Sequence, residues 1–124
     1  MKKLVRLGVA VVVAGLVSVW SVQAAEEHGD AGKQVTVKGE VLDMTCYLDH
    51  GAKGEKHAQC ASTCISSGLP VGLKGEDGKT YLLVGDHKPL NSTLADQAGK
   101  TITVKGKLAS RDGIHMIENA EIVK

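Results

Sequence analysis

The 124-residue chain is 43% hydrophobic and 23% charged with a formal charge of +1, and its aromatic residues are Trp20, Tyr47 and Tyr81, without any Phe. This is the composition of one globular domain with an aliphatic core, and it excludes a disordered or fibrous chain. The stacked aromatic platform that single-stranded nucleic acid requires is also excluded.

The first element is a targeting segment. Lys2, Lys3 and Arg6 form a basic start, Leu7 to Val19 is an apolar run, and Val22-Gln23-Ala24 supplies small residues at a cleavage site. Residues 1–24 therefore read as a secretory signal peptide. The apolar run is shorter than the ~20 residues that a spanning helix needs, so no stable membrane insertion is expected after cleavage. Cleavage after Ala24 leaves 100 residues in which 12 Lys and Arg face 14 Asp and Glu, a net charge of −2. That balance lacks the basic footprint of a nucleic-acid partner. The expected location is periplasmic or secreted.

Residues 25–33 are polar and form a flexible lead, with His28 solvated, and residues 34–124 form the domain. Val35, Val37, Val41 and Leu42 alternate in a strand that Gly39 allows to bend. Ile102 to Leu108 repeats the grammar of Val35 to Val41, including the Val-Lys-Gly triplet, and the two segments read as curved strands of one barrel. Leu69–Leu73 and Thr80–Val84 read as strands joined across Glu76-Asp77-Gly78-Lys79, a hairpin signal. Leu90–Ala98 fits a short helix capped by Asn91 or Ser92 and ended by Gly99. The last strand pair turns at Arg111-Asp112-Gly113, with Ile114, Met116, Ala120 and Ile122 on one face, which puts His115 toward water. His87 reads as an exposed turn residue and Met116 as core. The order of elements predicts a mainly β, five-stranded, OB-fold-like Greek-key barrel, with a helix between strands 3 and 4.

Residues 44–68, between the first two strands, are too long for a hairpin and mark a functional insertion. Lys56–Ser67 lacks Gly and Pro and reads as a helix ended by Gly68, before Pro70. On such a helix His57, Cys60 and Cys64 form one stripe. Cys46 stands at the exit of the first strand, near Met44 and His50. Thiolates with imidazole suit zinc, and an added thioether suits copper. The candidate metal ligands are thus Cys46, Cys60, Cys64 and His57, with His50 and Met44 in reserve. The alternative is a disulfide from Cys46 to Cys60 or Cys64. It would staple the insertion, contribute about 3 kcal/mol, and leave an odd thiol for a ligand, a protein partner or redox exchange.

Catalysis is not expected. Asp43, Asp49, Glu55 and Asp96 are scattered without a partner histidine, no nucleophile elbow surrounds Ser62 to Ser67, and Gly51 to Lys56 lacks the phosphate-loop spacing. Neither a haem-attachment motif nor a Cys-x-x-Cys redox pair is present.

Gly39-Glu40-Val41 leading into Asp43-Met44-Thr45-Cys46-Tyr47, the segment Cys60 to Gly68, and the closing run Gly99 to Gly106 together resemble a group of small exported bacterial OB-fold proteins. The resemblance implies a periplasmic or secreted binding module with a cysteine-bearing insertion, and it carries over no catalytic residue. The expected function is metal binding by the insertion, with copper or zinc as the ion. A non-enzymatic interaction module that meets a periplasmic protein, or a thiol redox protein, is the alternative.

Overall fold

The computed structural model describes residues 32–124, so the expected signal peptide, His28 and nearly all of the lead lie outside the described residues. Strands β1 (Gln34–Asp43), β2 (Val71–Gly75), β3 (Thr80–Leu83), β4 (Thr101–Arg111) and β5 (Ile114–Val123) close a barrel in the order β1-β2-β3-β5-β4. All neighbours run antiparallel except β3 and β5. A mainly β, closed five-stranded barrel with short helices is consistent with an OB-fold-like barrel.

Closure depends on β1 serving two neighbours. Its first part pairs with β4 from Gln34 to Glu40, and its last part pairs with β2 from Gly39 to Asp43. The partner changes at Gly39, where a Cβ would collide with the Lys74 carbonyl, so only glycine allows the approach. Gly106 does the same in β4, where a Cβ would strike the Glu118 carbonyl. The two Val-Lys-Gly segments are partners of each other, with Val37 directly opposite Val104 and both buried.

The core is aliphatic. Val37, Val41, Leu73, Leu83, Val104, Leu108 and Ile117 fill the barrel, and Tyr81 is the one aromatic ring among the buried residues. The β2–β3 turn is built around Asp77, which accepts the Lys79 N–H at 3.0 Å and the Tyr81 hydroxyl at 2.5 Å, while Gly78 takes φ +87°. That satisfies the polar tip of a tyrosine whose ring is buried.

β5 departs from the expected alternation. Ile117 is fully buried and Ile114, on the opposite face, is 63% exposed; beyond Ile117, Asn119 at φ +51° and a register shift opposite Lys105 and Lys107 exchange the two faces. Ala120 and Ile122 then pack on the core. Ile114 and Met116 precede the shift and fall on the other face from them. His115, expected toward water, is half-buried; its ring lies 5.8 Å from that of Tyr81, and its Nδ1 is 2.8 Å from Ser110 Oγ. His87 is exposed, at φ +48°.

Two helices, α1 (Met44–His50) and α2 (Ala58–Ser66), lie between β1 and β2, with a 3-10 turn at Glu55–His57. A third, α3 (Asn91–Leu94), runs into a 3-10 turn at Ala95–Gln97 between β3 and β4. Asn91 does not cap α3; its side-chain amide donates to the carbonyls of Ile65 and Leu69, both at 2.7 Å, and Leu90 occupies the cap position without a side-chain bond. α2 buries Ala61 and Ile65 against the barrel cluster, which also holds Leu94, Ala95 and Ala98. Burial of a side chain the size of Ile65 is worth about 1.5–3 kcal/mol, so this residue is the main anchor of the insertion. Among the described residues no helix is long and apolar enough to cross a membrane.

Candidate metal site

The site begins where β1 stops. Asp43, 2% exposed, takes the N-cap position of α1 and accepts the Thr45 N–H at 3.2 Å through Oδ1 and the Cys46 N–H at 3.1 Å through Oδ2. An aspartate in this place satisfies donors that a helix start leaves open. It also fixes Cys46 against the end of the strand. The Met44 N–H donates to the Pro70 carbonyl at 2.9 Å and so ties the start of α1 to the chain leaving α2.

α1 ends at Gly51 in the left-handed conformation, φ +70°. The chain then returns to the barrel. The Gly54 N–H donates to the Glu40 carboxylate on β1, and the next turn presents His57. On α2, Cys60 and Cys64 each precede a buried residue, Ala61 and Ile65. They are therefore rotated about 100° from the buried stripe, toward the rim of the helix. Cys60 is exposed and Cys64 half-buried.

These elements bring together five donors, Cys46 and four around it. Ligand atoms of Cys46, His57 and Cys60 lie within 4.8 Å of one another, and so do those of Asp43, Cys46 and Cys64. Either group can hold a metal ion. His57 reaches its group from the 3-10 turn rather than from the α-helix, so the expected single stripe of His57, Cys60 and Cys64 is divided between two groups that share Cys46. His57 Nε2 is buried and has no hydrogen-bond partner among the described residues. An orphaned polar atom of this kind costs about 1–3 kcal/mol, which a bound cation would offset. With Asp43, Glu40 and Gly54, His57 also lines a crevice too narrow for a water molecule.

The reserve ligands stand outside both groups. His50 is exposed, its Nδ1 lies 3.2 Å from Asp49 Oδ2, and its ring meets that of His57 edge-on at 6.3 Å. Met44 is buried, with its thioether filling the space above Gly72. Asp43 is the donor that sequence reasoning passed over as one of several scattered carboxylates. Its signal was its place at the junction of strand and helix, three residues before Cys46. All three cysteines are free, so the disulfide staple is not formed.

The electrostatics favour protonated thiols. The hydrogen bond to Asp43 raises the Cys46 thiol to about 12, with burial and the charges of Asp43, Cys64 and Cys60 acting in the same direction. Burial, then the charges of Asp43 and Cys60, also push Cys64 up. Burial would raise Asp43 too, but bonds from the Cys46 thiol and from the N–H groups of Cys46 and Thr45, with the charge of His57, bring it below the usual carboxylate range. Protonated thiols are slow nucleophiles. A thiophilic cation bound here would displace those protons, so its uptake would release them.

A 550 Å³ groove at the β3–α3 corner is lined by Leu82, Val84, His87, Lys88, Met116 and Asn119, among others, and by none of these five donors. Comparison of the chain with protein-family models, with curated proteins and with solved structures gives no match.

Proposed function

We propose that this chain is an exported metal-binding protein that holds copper or zinc through the cysteine-bearing helices between β1 and β2. The observation that carries the reading is the approach of Cys46, His57 and Cys60 to within 4.8 Å, from three separate elements. Thiolate and imidazole together suit these two ions above the hard cations. The basic start, apolar run and small-residue cleavage site of residues 1–24 support export to the periplasm or the medium.

Binding joins the end of β1 to the 3-10 turn and to α2, so metal should stabilise the fold. The test is titration of the purified, reduced protein with Zn(II) or Cu(I), beside a variant with Cys46, Cys60 and Cys64 all changed to Ser. Binding by the unaltered protein at least a hundredfold tighter than by the variant is expected. Equal binding by the two overturns the reading.

One observation favours a second reading. The Cys46 sulfur lies within 4.8 Å of both other sulfurs, so oxidation can close a staple without large movement. An interaction module of that kind would be purified with one bridge and one free thiol. Three thiols protected by metal favour the first reading, and mass spectrometry after alkylation separates them.

A further inference from the structure

We propose that Cys46 is a bridging thiolate in a two-ion site, with one divalent thiophilic ion held by Cys46, His57 and Cys60 and the other by Cys46, Asp43 and Cys64. The proposal rests on the metal-binding reading above and specifies how many ions the site takes and of what class.

The geometry is the first argument. The five donors fall into two groups, each within 4.8 Å, whose shared member is Cys46. A tetrahedral thiolate site brings its sulfurs to about 3.8 Å from each other, given metal–sulfur bonds of about 2.3 Å. Each group, already within 4.8 Å, has at most about 1 Å to close to reach that spacing. Gathering all five donors about one four-coordinate ion would exceed its coordination number.

Charge is the second argument. Once ions displace the protons of all three thiols, the thiolates and the Asp43 carboxylate carry four negative charges in one small volume. A single divalent ion leaves two of them uncompensated beside an aspartate that is 2% exposed, and uncompensated charge away from water is costly. Two divalent ions balance the four, and two monovalent ions do not. The ion class is therefore that of zinc.

The lone pairs suffice. Each Asp43 oxygen accepts one backbone N–H, and a carboxylate oxygen has a second acceptor position. A thiolate has three lone pairs, so one sulfur can serve two ions. Each ion would have three protein donors and one position for water or a small anion, and the exposure of Cys60 provides access.

Native mass spectrometry of the reduced protein with Zn(II), and cadmium NMR of the Cd(II)-loaded protein, test this. Two bound Zn(II) are expected at saturation, together with two cadmium resonances split by coupling to each other through the shared sulfur. Cys64→Ser and His57→Gln each alter one group only, and each should lower the stoichiometry from two ions to one. Saturation at one ion overturns the bridge and leaves the metal-binding reading intact. Two uncoupled cadmium signals overturn the bridge and indicate independent sites. The absence of any bound ion overturns both readings.

Discussion

Asp43 and Cys46 are bonded to each other twice: the carboxylate accepts the Cys46 N–H at 3.1 Å and also takes the Cys46 thiol. One residue therefore ends β1, starts α1 and keeps a proton on the sulfur at the centre of the donor groups.

Asp43→Asn separates these roles. Asparagine keeps one of the two oxygens that accept the Thr45 and Cys46 N–H groups and so retains part of the cap, but it removes the negative charge that opposes the thiolate. Cys46 should then titrate well below about 12, and its alkylation at pH 8 should accelerate at least tenfold, as read by peptide mass mapping. Asp43→Ala should accelerate alkylation as well and also cost about 1 kcal/mol of stability through loss of the cap, seen in urea denaturation. An unchanged rate in Asp43→Asn would show that Asp43 does not hold the thiol.

The sign of the pH effect at Cys46 follows from linkage. Its folded-state pKa, about 12, lies above the ordinary 9.0, so the contribution to stability is fully present below pH 9. It is lost as pH rises from 9 toward 12. Metal uptake runs the opposite way: because the ion competes with protons, affinity for Zn(II) should increase from pH 6 to pH 8. Isothermal titration in buffers of different ionisation enthalpy reads the protons released. Proton-neutral binding would be inconsistent with thiolate ligands.

Tyr81 and Asp77 give a second pH dependence, away from the site. Burial, then the bond to Asp77, raises the Tyr81 phenol, so its contribution is intact below pH 10 and declines above it. Burial opposes the shift at Asp77, but the bonds from Tyr81 and from the Lys79 N–H lower its pKa, so its contribution is present above about pH 4 and is lost in acid. Tyr81→Phe should cost about 1 kcal/mol at pH 7. It should also flatten the alkaline fall of stability relative to the unaltered protein. Equal slopes for the two proteins above pH 10 would remove Tyr81 from the account.

What could be read from the chain and what could not differ in physical range. The strand grammar was legible because alternation of Val37, Val41 and Val104 is a local consequence of a half-buried surface, and so was the turn at Asp77-Gly78. The faces of β5 were not, because the exchange at Asn119 arises from the register of β5 against β4, which no alternation within β5 encodes. Cys46, His57 and Cys60 were found by their chemistry. Asp43 was missed because its role depends on helix α1, a seven-residue element too short to announce itself by periodicity. The place of Asn91 in the chain points to a cap, whereas its partners Ile65 and Leu69 are more than twenty residues away.

Asn91 is accordingly a positioning residue for α2. Replacement by Leu takes the Asn91 donor from both carbonyls, leaving that of Ile65 with the Gly68 N–H at 3.0 Å and that of Leu69 without the amide. The expected loss is about 1–3 kcal/mol. Because α2 carries Cys60 and Cys64, the variant should also bind Zn(II) at least threefold more weakly at a temperature where it remains folded. Thermal denaturation with competition titration measures both. A stability loss without any change in affinity would show that the donors do not depend on this clamp.

Gly99 presses on the other end of the same helix. It takes φ +74°, and a Cβ there would lie 2.8 Å from Ala58 Cβ and 3.1 Å from the Gly54 carbonyl, on either side of the turn that presents His57. Gly99→Ala should cost about 2–4 kcal/mol, from left-handed strain and from overpacking together. It should also weaken Zn(II) binding by displacing His57. Ala58→Gly removes the opposing methyl, so the double variant should recover the packing part of the loss but not the strain. The two changes should therefore be non-additive in urea denaturation, as expected for residues in contact. Recovery of metal affinity in the double variant would show that His57 is held in place by this contact, and additive losses would mean that the turn and the β4 entrance are uncoupled.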